Sequence, residues 1–480
     1  MKRSFQNLLC FIDIIILPLL ILKSGFSLFT YSNVSIIFIL IFIALLIYLI
    51  KNNEVNLIVS YVVISAIGII PLIQFHGADI YTYSEMKVNY LYMLSIIIGI
   101  LLVTRLKHVK YKMFIFDYIL CLYWLLTLIS TFLSVDVNIS IFGTAGRYEG
   151  LVTISCYILL YFLASKFLTS YTTLNFKFII ISATIIGIYA IMQYYGIDPF
   201  HQIYKYLLGN EAYSTIGNRD FVGSYITLLL PILIYTFIST KKYIYILSSG
   251  ILFTSMLCIN ARSAWVAFIV YIFILSIFIF MKKYKRRNFI LLIALFTIIF
   301  IVFNFRQNNM LSSRIVSINS DAKTLVQNKS PESIDNGRYF IWERAIKIIP
   351  KFPLLGSGPD TFSIVFRKTY TSDILNTSGI VVVFDKAHNE YLQIAVTEGI
   401  PALLLYLVFL TLVAIKVFKG IKYNKLLIPL FCSIGGYLVQ AFFNISVVAV
   451  APVLWCFIGI AVNLADKTEG EILSGGKLER

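Results

Sequence analysis

The chain reads as an all-α polytopic membrane protein of about 12–14 transmembrane helices with one long polar loop. Three observations predict this. Hydrophobic residues make up 59% of the 480 and charged residues 13%, whereas a soluble chain is roughly half apolar and a quarter charged. Mean hydropathy is +0.87. The apolar residues also gather into runs near the roughly 20 residues that a helix needs to cross a bilayer, and a helix satisfies its own backbone there.

Taken in order, such runs lie near residues 8–22, 34–50, 56–73, 90–104, 114–134, 150–167, 176–195, 221–238, 243–260, 262–281 and 288–305, then 400–418, 426–444 and 447–465. Met1-Lys2-Arg3 gives the first run signal-peptide polarity, but no small-residue cleavage site closes it, so it reads as a retained span. The organisation that follows is an N-terminal transmembrane bundle (1–135) and central transmembrane helices with arginines at their outer ends (136–305). Next come an extracytoplasmic loop with amphipathic helices (306–399), C-terminal transmembrane helices (400–465) and a polar cytoplasmic tail (466–480).

Orientation follows from Lys and Arg. With the N-terminus inside, 23 of the 40 fall on cytoplasmic segments, six in short outer loops and 11 in the long loop, which exceeds the length over which charge bias orients a protein. The formal net charge of +17 therefore marks inner loops and implies no nucleic-acid partner. All six cysteines, Cys10, Cys121, Cys156, Cys258, Cys432 and Cys456, lie within or at the ends of apolar runs. They form neither a disulfide framework nor a metal-binding spacing. No Asp-x-Asp or His/carboxylate cluster suggests a metal, and no cofactor is expected.

The chemistry-bearing residues cluster at the outer ends of the spans. Arg147 and Arg219 each stand just before a run, and Arg262 lies in a tight turn between two. An arginine there must face protein, water or a lipid head group, because exposure to hydrocarbon costs several kcal/mol; snorkelling to lipid phosphate is the bland alternative. In the long loop, Trp342, Ala345, Ile346 and Ile349 recur at helical spacing. They predict an amphipathic helix on the outer surface that starts after Asp335-Asn336-Gly337 and ends at about Pro350. Arg338 and Arg344 are six apart, about 120° out of phase on such a helix, so they form one clamp only if the helix starts after Arg338. Arg338 is the better ligand and Arg344 a weaker one. His388 stands where the next helix begins, and the positive end of a helix disfavours imidazolium, leaving the ring neutral and able to accept a proton.

Three stretches resemble the O-antigen ligase/polymerase superfamily: Gly146-Arg147-Tyr148-Glu149-Gly150-Leu151; Arg262-Ser263-Ala264-Trp265; and a loop pattern. That pattern runs from Gly337-Arg338 with Trp342 and Ala345, through Pro353-Leu354-Leu355-Gly356-Ser357-Gly358-Pro359, to His388-Asn389-Glu390-Tyr391-Leu392-Gln393. The resemblance covers roughly residues 140–465. It implies a GT-C-like membrane glycosyltransferase that moves glycan from undecaprenyl diphosphate to a glycan, lipid or protein acceptor on the outer face of the cytoplasmic membrane. It further implies that His388 activates or orients the acceptor hydroxyl while Arg262 and Arg338 hold the diphosphate. Arg147, Arg219, Arg344, Asn389 and Tyr391 complete the expected substrate contacts. Two departures stand out: Gly217-Asn218-Arg219-Asp220, where relatives often read Gly-Asn-Pro-Asn, and Val396-Thr397-Glu398-Gly399, where Ala-Glu-Thr-Gly is common, which puts a role for Glu398 in doubt. A glycan polymerase of the same superfamily is the alternative within this chemistry. A lipid-linked oligosaccharide flippase is the alternative outside it, but a transporter concentrates its charges near mid-membrane, whereas these spans carry almost none.

Overall fold

The computed structural model describes residues 55–74, 80–105, 112–168, 176–199, 212–281, 285–307, 338–378 and 383–473. The runs expected at 8–22 and 34–50, the loop before Arg338 and the end of the tail lie outside the described residues. Among the described residues every regular element is helical, and the protein is an all-α polytopic membrane protein.

Helix α1 (Val55–Ile64) is prolonged by a π turn (Ser65–Ile69) and a 3₁₀ turn (Ile70–Leu72). It is followed by α2 (Ile80–Arg105), α3 (Ile115–Phe132), a short α4 (Val137–Phe142) and α5 (Leu151–Phe162) with its π turn Leu163–Phe167. The central set comprises α6 (Phe176–Tyr194), α7 (Arg219–Thr240), α8 (Tyr243–Ile259), α9 (Arg262–Met281) and α10 (Arg286–Arg306). Three helices lie in the long loop: α11 (Arg338–Ile348), α12 (Phe362–Ser378) and α13 (Glu390–Thr397). The C-terminal set is α14 (Ile400–Gly420), α15 (Leu427–Gln440) and α16 (Ala451–Leu473).

Each expected run from 56–73 onward coincides with one of these helices. The largest difference is α2, which begins ten residues before the expected 90; the polar Lys87 in that extension is accommodated by protein, its ammonium buried and donating to the Thr215 carbonyl at 2.8 Å. Seven described helices are long and apolar enough to cross a membrane. Of these, α7 is 89% buried, while α9 and α10 are each 28% buried, so α7 is the axis and the other two present their flanks outward. It packs against α8, α9 and α15.

The two ends of the bundle differ. At one end the Asp117 carboxylate accepts from Lys166 (2.5 Å), Tyr161 (2.5 Å) and the Phe114 amide (2.7 Å). Lys112, Lys166 and Lys416 surround the Phe114 ring, and Lys416 reaches Glu469 at 3.0 Å. This basic end is closed by ion pairs between α3, α5, α14 and α16.

The loop helices close the other end. The helix expected to stop at about Pro350 runs over Arg338–Ile348 and tightens into a 3₁₀ turn, Ile349–Lys351. The face that lies on protein is shifted from the expected stripe: Ile341, Ala345 and Ile348 pack with Phe362, Val365 and Phe366 of α12 and with Ala387 and Val396, giving the loop a core of its own, while Trp342 and Ile349 flank it and Ile346 is exposed. The second helix of that core, α12, was not expected. Trp342 spends its indole N–H on the Ala387 carbonyl at 3.0 Å.

The Pro353–Pro359 stretch fastens this lid to the bundle. Ser357 N–H donates to the Val396 carbonyl (3.0 Å) and Gly358 N–H to that of Thr397 (2.8 Å), while the Ser357 carbonyl accepts from Val135 N–H (3.0 Å) and Ser134 Oγ (3.0 Å). Gly358 has φ +107°, and a Cβ there would lie 1.9 Å from Ser134 Oγ. Both the dihedral and the space demand glycine. Gly358→Ala is expected to loosen the lid, read as faster proteolysis within residues 338–399 with the bundle's thermal unfolding largely unchanged.

Candidate active site

The site is assembled where helix beginnings meet the lid. Asn218 caps α7, its side-chain oxygen accepting from Asp220 N–H at 2.8 Å, so Asp220 is held in the first turn with its carboxylate facing the lid. Arg338, the first residue of α11, donates Nη2 to Asp220 Oδ2 at 3.2 Å. On the other side, the 143–150 turn presents Arg147, whose Nε and Nη2 both reach Asp385 Oδ2 at 2.6 Å. The Arg147 guanidinium also lies over the Phe221 ring, 5.5 Å from its centre. Two arginine–aspartate pairs, each joining the lid to the bundle, are thus part of one constellation.

His388 stands among these four residues. It takes a left-handed backbone conformation (φ +48°), which histidine tolerates better than most residues, immediately before Asn389, the N-cap of α13. The ring is half-buried. Burial lowers its basicity below that of a free imidazole; Asp385 and Asp220 pull upward, Arg338 and Arg147 downward. Asp385 feels the same surroundings: burial raises it, but Arg147, His388 and Lys386 outweigh that and hold its carboxyl below the usual range.

A third carboxylate fixes the site's floor. Asp360, in a left-handed conformation (φ +61°), accepts from Thr144 N–H (2.7 Å), Thr144 Oγ1 (3.1 Å) and Glu149 N–H (3.2 Å). It also forms a fully buried ion pair with Lys386. One side chain therefore locks the turn carrying Arg147 to the segment carrying Asp385 and His388. Behind α13 lies a small cavity of about 70 Å³ lined by Glu149, Glu390, Glu398 and several tyrosines. Burial pushes Glu149 up to about 7 against the opposing influence of Lys386 and Tyr157. Glu390 accepts from Tyr406 (2.8 Å) and Tyr437 (3.2 Å), and Glu398 from Thr127 (2.7 Å). These glutamates hold the helices together beneath the lid.

The remaining sequence candidates have separate places. Arg262 is the first residue of α9; the adjacent Ser263 hydroxyl bonds Gln440 Nε2 (3.2 Å), which also donates to the Asp220 carbonyl (3.3 Å). This sets the start of α9 beside the start of α7. Arg219 opens α7, half-buried. Arg344 diverges from Arg338: it lies 3.5 Å from the centre of the Phe340 ring and 5.6 Å from that of Tyr370, with Glu343 at 3.6 Å. Asn389 spends its side-chain oxygen on Leu392 N–H (3.0 Å), and Tyr391 donates to the Leu438 carbonyl (2.7 Å) while packing on Phe442. Sequence reasoning missed Asp220 and Asp385 as site members. Their only signal is adjacency, one residue after Arg219 and three before His388. Among the described residues no group of three His, Cys, Asp or Glu side chains is spaced to hold a metal ion.

A neutral imidazole among two arginine–aspartate pairs can accept a proton while the arginines bind an anion at an adjacent point. No curated protein matches the chain. Residues 247–407 match a family model described as O-antigen ligase, a stretch that holds Arg262, Arg338, His388 and the whole described lid. The Arg262–Trp265 stretch and the loop pattern fall inside that match and the Gly146–Leu151 stretch outside it, and it is the O-antigen ligase/polymerase superfamily that this chain resembles.

Proposed function

We propose that the protein is an integral-membrane glycosyltransferase of the ligase type. It transfers glycan from undecaprenyl diphosphate to an acceptor on the outer face of the cytoplasmic membrane, by metal-independent displacement with inversion. The observation that carries this reading is the placement of His388 between the Arg147–Asp385 and Arg338–Asp220 pairs. The acceptor oxygen attacks the anomeric carbon as its proton passes to His388. The bond from that carbon to the carrier diphosphate breaks, and the electron pair leaves with the diphosphate. Arg338 and Arg262 receive the growing negative charge, with Arg147 and Arg219 flanking them, and Asp385 stabilises the imidazolium. Because Arg147 and Arg338 are already held in place by carboxylates, little reorganisation accompanies the charge shift at those two groups. The starts of α7 and α9 add favourable dipoles for an anion. Arg344, Asn389 and Tyr391 shape the lid around the acceptor.

The test is release of undecaprenyl diphosphate from lipid-linked glycan by protein in nanodiscs, with candidate acceptors supplied separately. Arg338→Ala and Arg262→Ala are each expected to lower turnover by roughly 10²–10³-fold, the usual effect of losing a group that stabilises a developing anion. Transfer only to a second lipid-linked glycan would identify the polymerase. Translocation of lipid-linked glycan with no release by the wild type would overturn the enzymatic reading.

A further inference from the structure

At the basic end, opposite the site, a cleft of about 800 Å³ opens between the start of α3 and the ends of α14 and α16. Its walls are two-sided in chemistry. Ile115, Leu412, Ile415 and Phe418 form an apolar slot, while the charged groups at its mouth are Lys416, Lys419, Lys422 and the carboxylate of Glu469. Ile115, Ile415 and Phe418 are all exposed along the flank of the bundle, so the slot opens sideways, toward where acyl chains lie. The charges at the mouth are unequal in their commitments. Lys416 is used internally, by Glu469 at 3.0 Å and Asp466 at 3.7 Å. Among the described residues no carboxylate lies within ion-pair distance of Lys419 or Lys422, both exposed. The Lys422 ammonium lies 5.2 Å from the centre of the Tyr423 ring, an aromatic of the kind that sits at head-group level.

We infer that this cleft is a binding site for one anionic phospholipid, its head-group phosphate held by Lys419 and Lys422 and an acyl chain lying along Ile115, Leu412, Ile415 and Phe418. Charge complementarity selects the occupant: three lysines against the single carboxylate of Glu469, which Lys416 holds, leave a net positive mouth above an apolar slot, and this fits a phosphate joined to a hydrocarbon chain better than a zwitterionic head group, whose own ammonium would oppose it. The volume falls within the range of sites that enclose most of a small ligand. The lipid would join α3, α14 and α16 at the end where their own contacts are ion pairs.

The test uses full-length protein in neutral detergent and a fluorescent short-chain phosphatidylglycerol, with the matching phosphatidylcholine as control. The wild type is expected to bind the anionic probe at least tenfold more tightly. In Lys419→Gln/Lys422→Gln that affinity should fall about 30-fold, the combined effect of two lysines at a membrane surface. Leu412→Trp fills the slot and leaves every charge in place; it should also weaken binding, and it guards against misreading a folding defect in the double variant. The same loss in Lys241→Gln/Lys242→Gln, at another basic connection, would overturn the proposal in favour of diffuse surface charge. Displacement of the probe by millimolar inorganic phosphate would overturn it in favour of a plain anion site, and equal affinity for both lipids would sink it outright.

Discussion

Replacing His388 with alanine should lower glycan transfer by about 10²–10⁴-fold, the usual contribution of a positioned general base, while the protein keeps its thermal transition. The second half of that expectation comes from packing. His388 is only partly buried, whereas α13 is held by the Asn389 cap, by Glu390 N–H on the Ala441 carbonyl (2.9 Å) and by the buried Glu390 carboxylate. The pH dependence adds a sharper readout. Burial and two arginines lower the basicity of His388 below the usual 6.5, so the neutral, proton-accepting form prevails at pH 7. The rate should be flat near neutrality and fall only as pH drops through the lowered value. Asp385 opposes that lowering, so Asp385→Asn should move the acid limb to still lower pH. Arg338 reinforces it, so Arg338→Gln should move the limb up. An acid limb that stays in place in both variants would exclude His388 as the titrating group.

The largest stability effect is expected at Lys386. Its ammonium and the Asp360 carboxylate are both almost wholly buried. Lys386→Met leaves Asp360 charged in a closed site, with only the amides and hydroxyl of the 143–150 turn to balance it. Breaking a buried pair from one side costs about 3–5 kcal/mol, and the cost should fall on lid docking: faster proteolysis of residues 338–399 and a lower unfolding temperature in detergent. The double variant Asp360→Asn/Lys386→Met removes both charges and keeps hydrogen-bonding capacity toward the turn, so it should recover much of the loss. A single variant as stable as the wild type would show that the pair is not closed to water.

The same residues show what could be read from the chain alone. The helices long and apolar enough to cross a membrane were legible because hydrocarbon imposes length and composition at once: the runs expected at 176–195 and 262–281 match α6 and α9 almost residue for residue. The lid was legible only in part. Helix α11 announced itself by spacing, but α12 mixes Ser, Thr, Tyr and charged residues with its apolar ones and is interrupted by a non-helical Tyr370, so no period stood out. The arginines were visible as costly residues near lipid, yet their partners were not. Arg147 and Asp385 are 238 residues apart, Arg338 and Asp220 118, and no local pattern encodes such a meeting. Asn389 and Tyr391 illustrate the converse, since a motif gives their position without telling whether a side chain faces a ligand or, as here, bonds the Leu392 amide and the Leu438 carbonyl.

The Asp360 clamp has a consequence for the order in which the protein comes into being. The turn that presents its amides to Asp360 is made 216 residues earlier, counting from Thr144, so during synthesis those donors wait while α5 through α10 are threaded into the bilayer. Long-range closure of this kind comes late, after the local helices have formed. Until Asp360 and Lys386 arrive, Arg147 has no Asp385 and the end of the bundle has no cover. A half-made chain therefore lacks both the Arg147–Asp385 pair and its cover; on the proposed reading, competence comes only with the arrival of the lid.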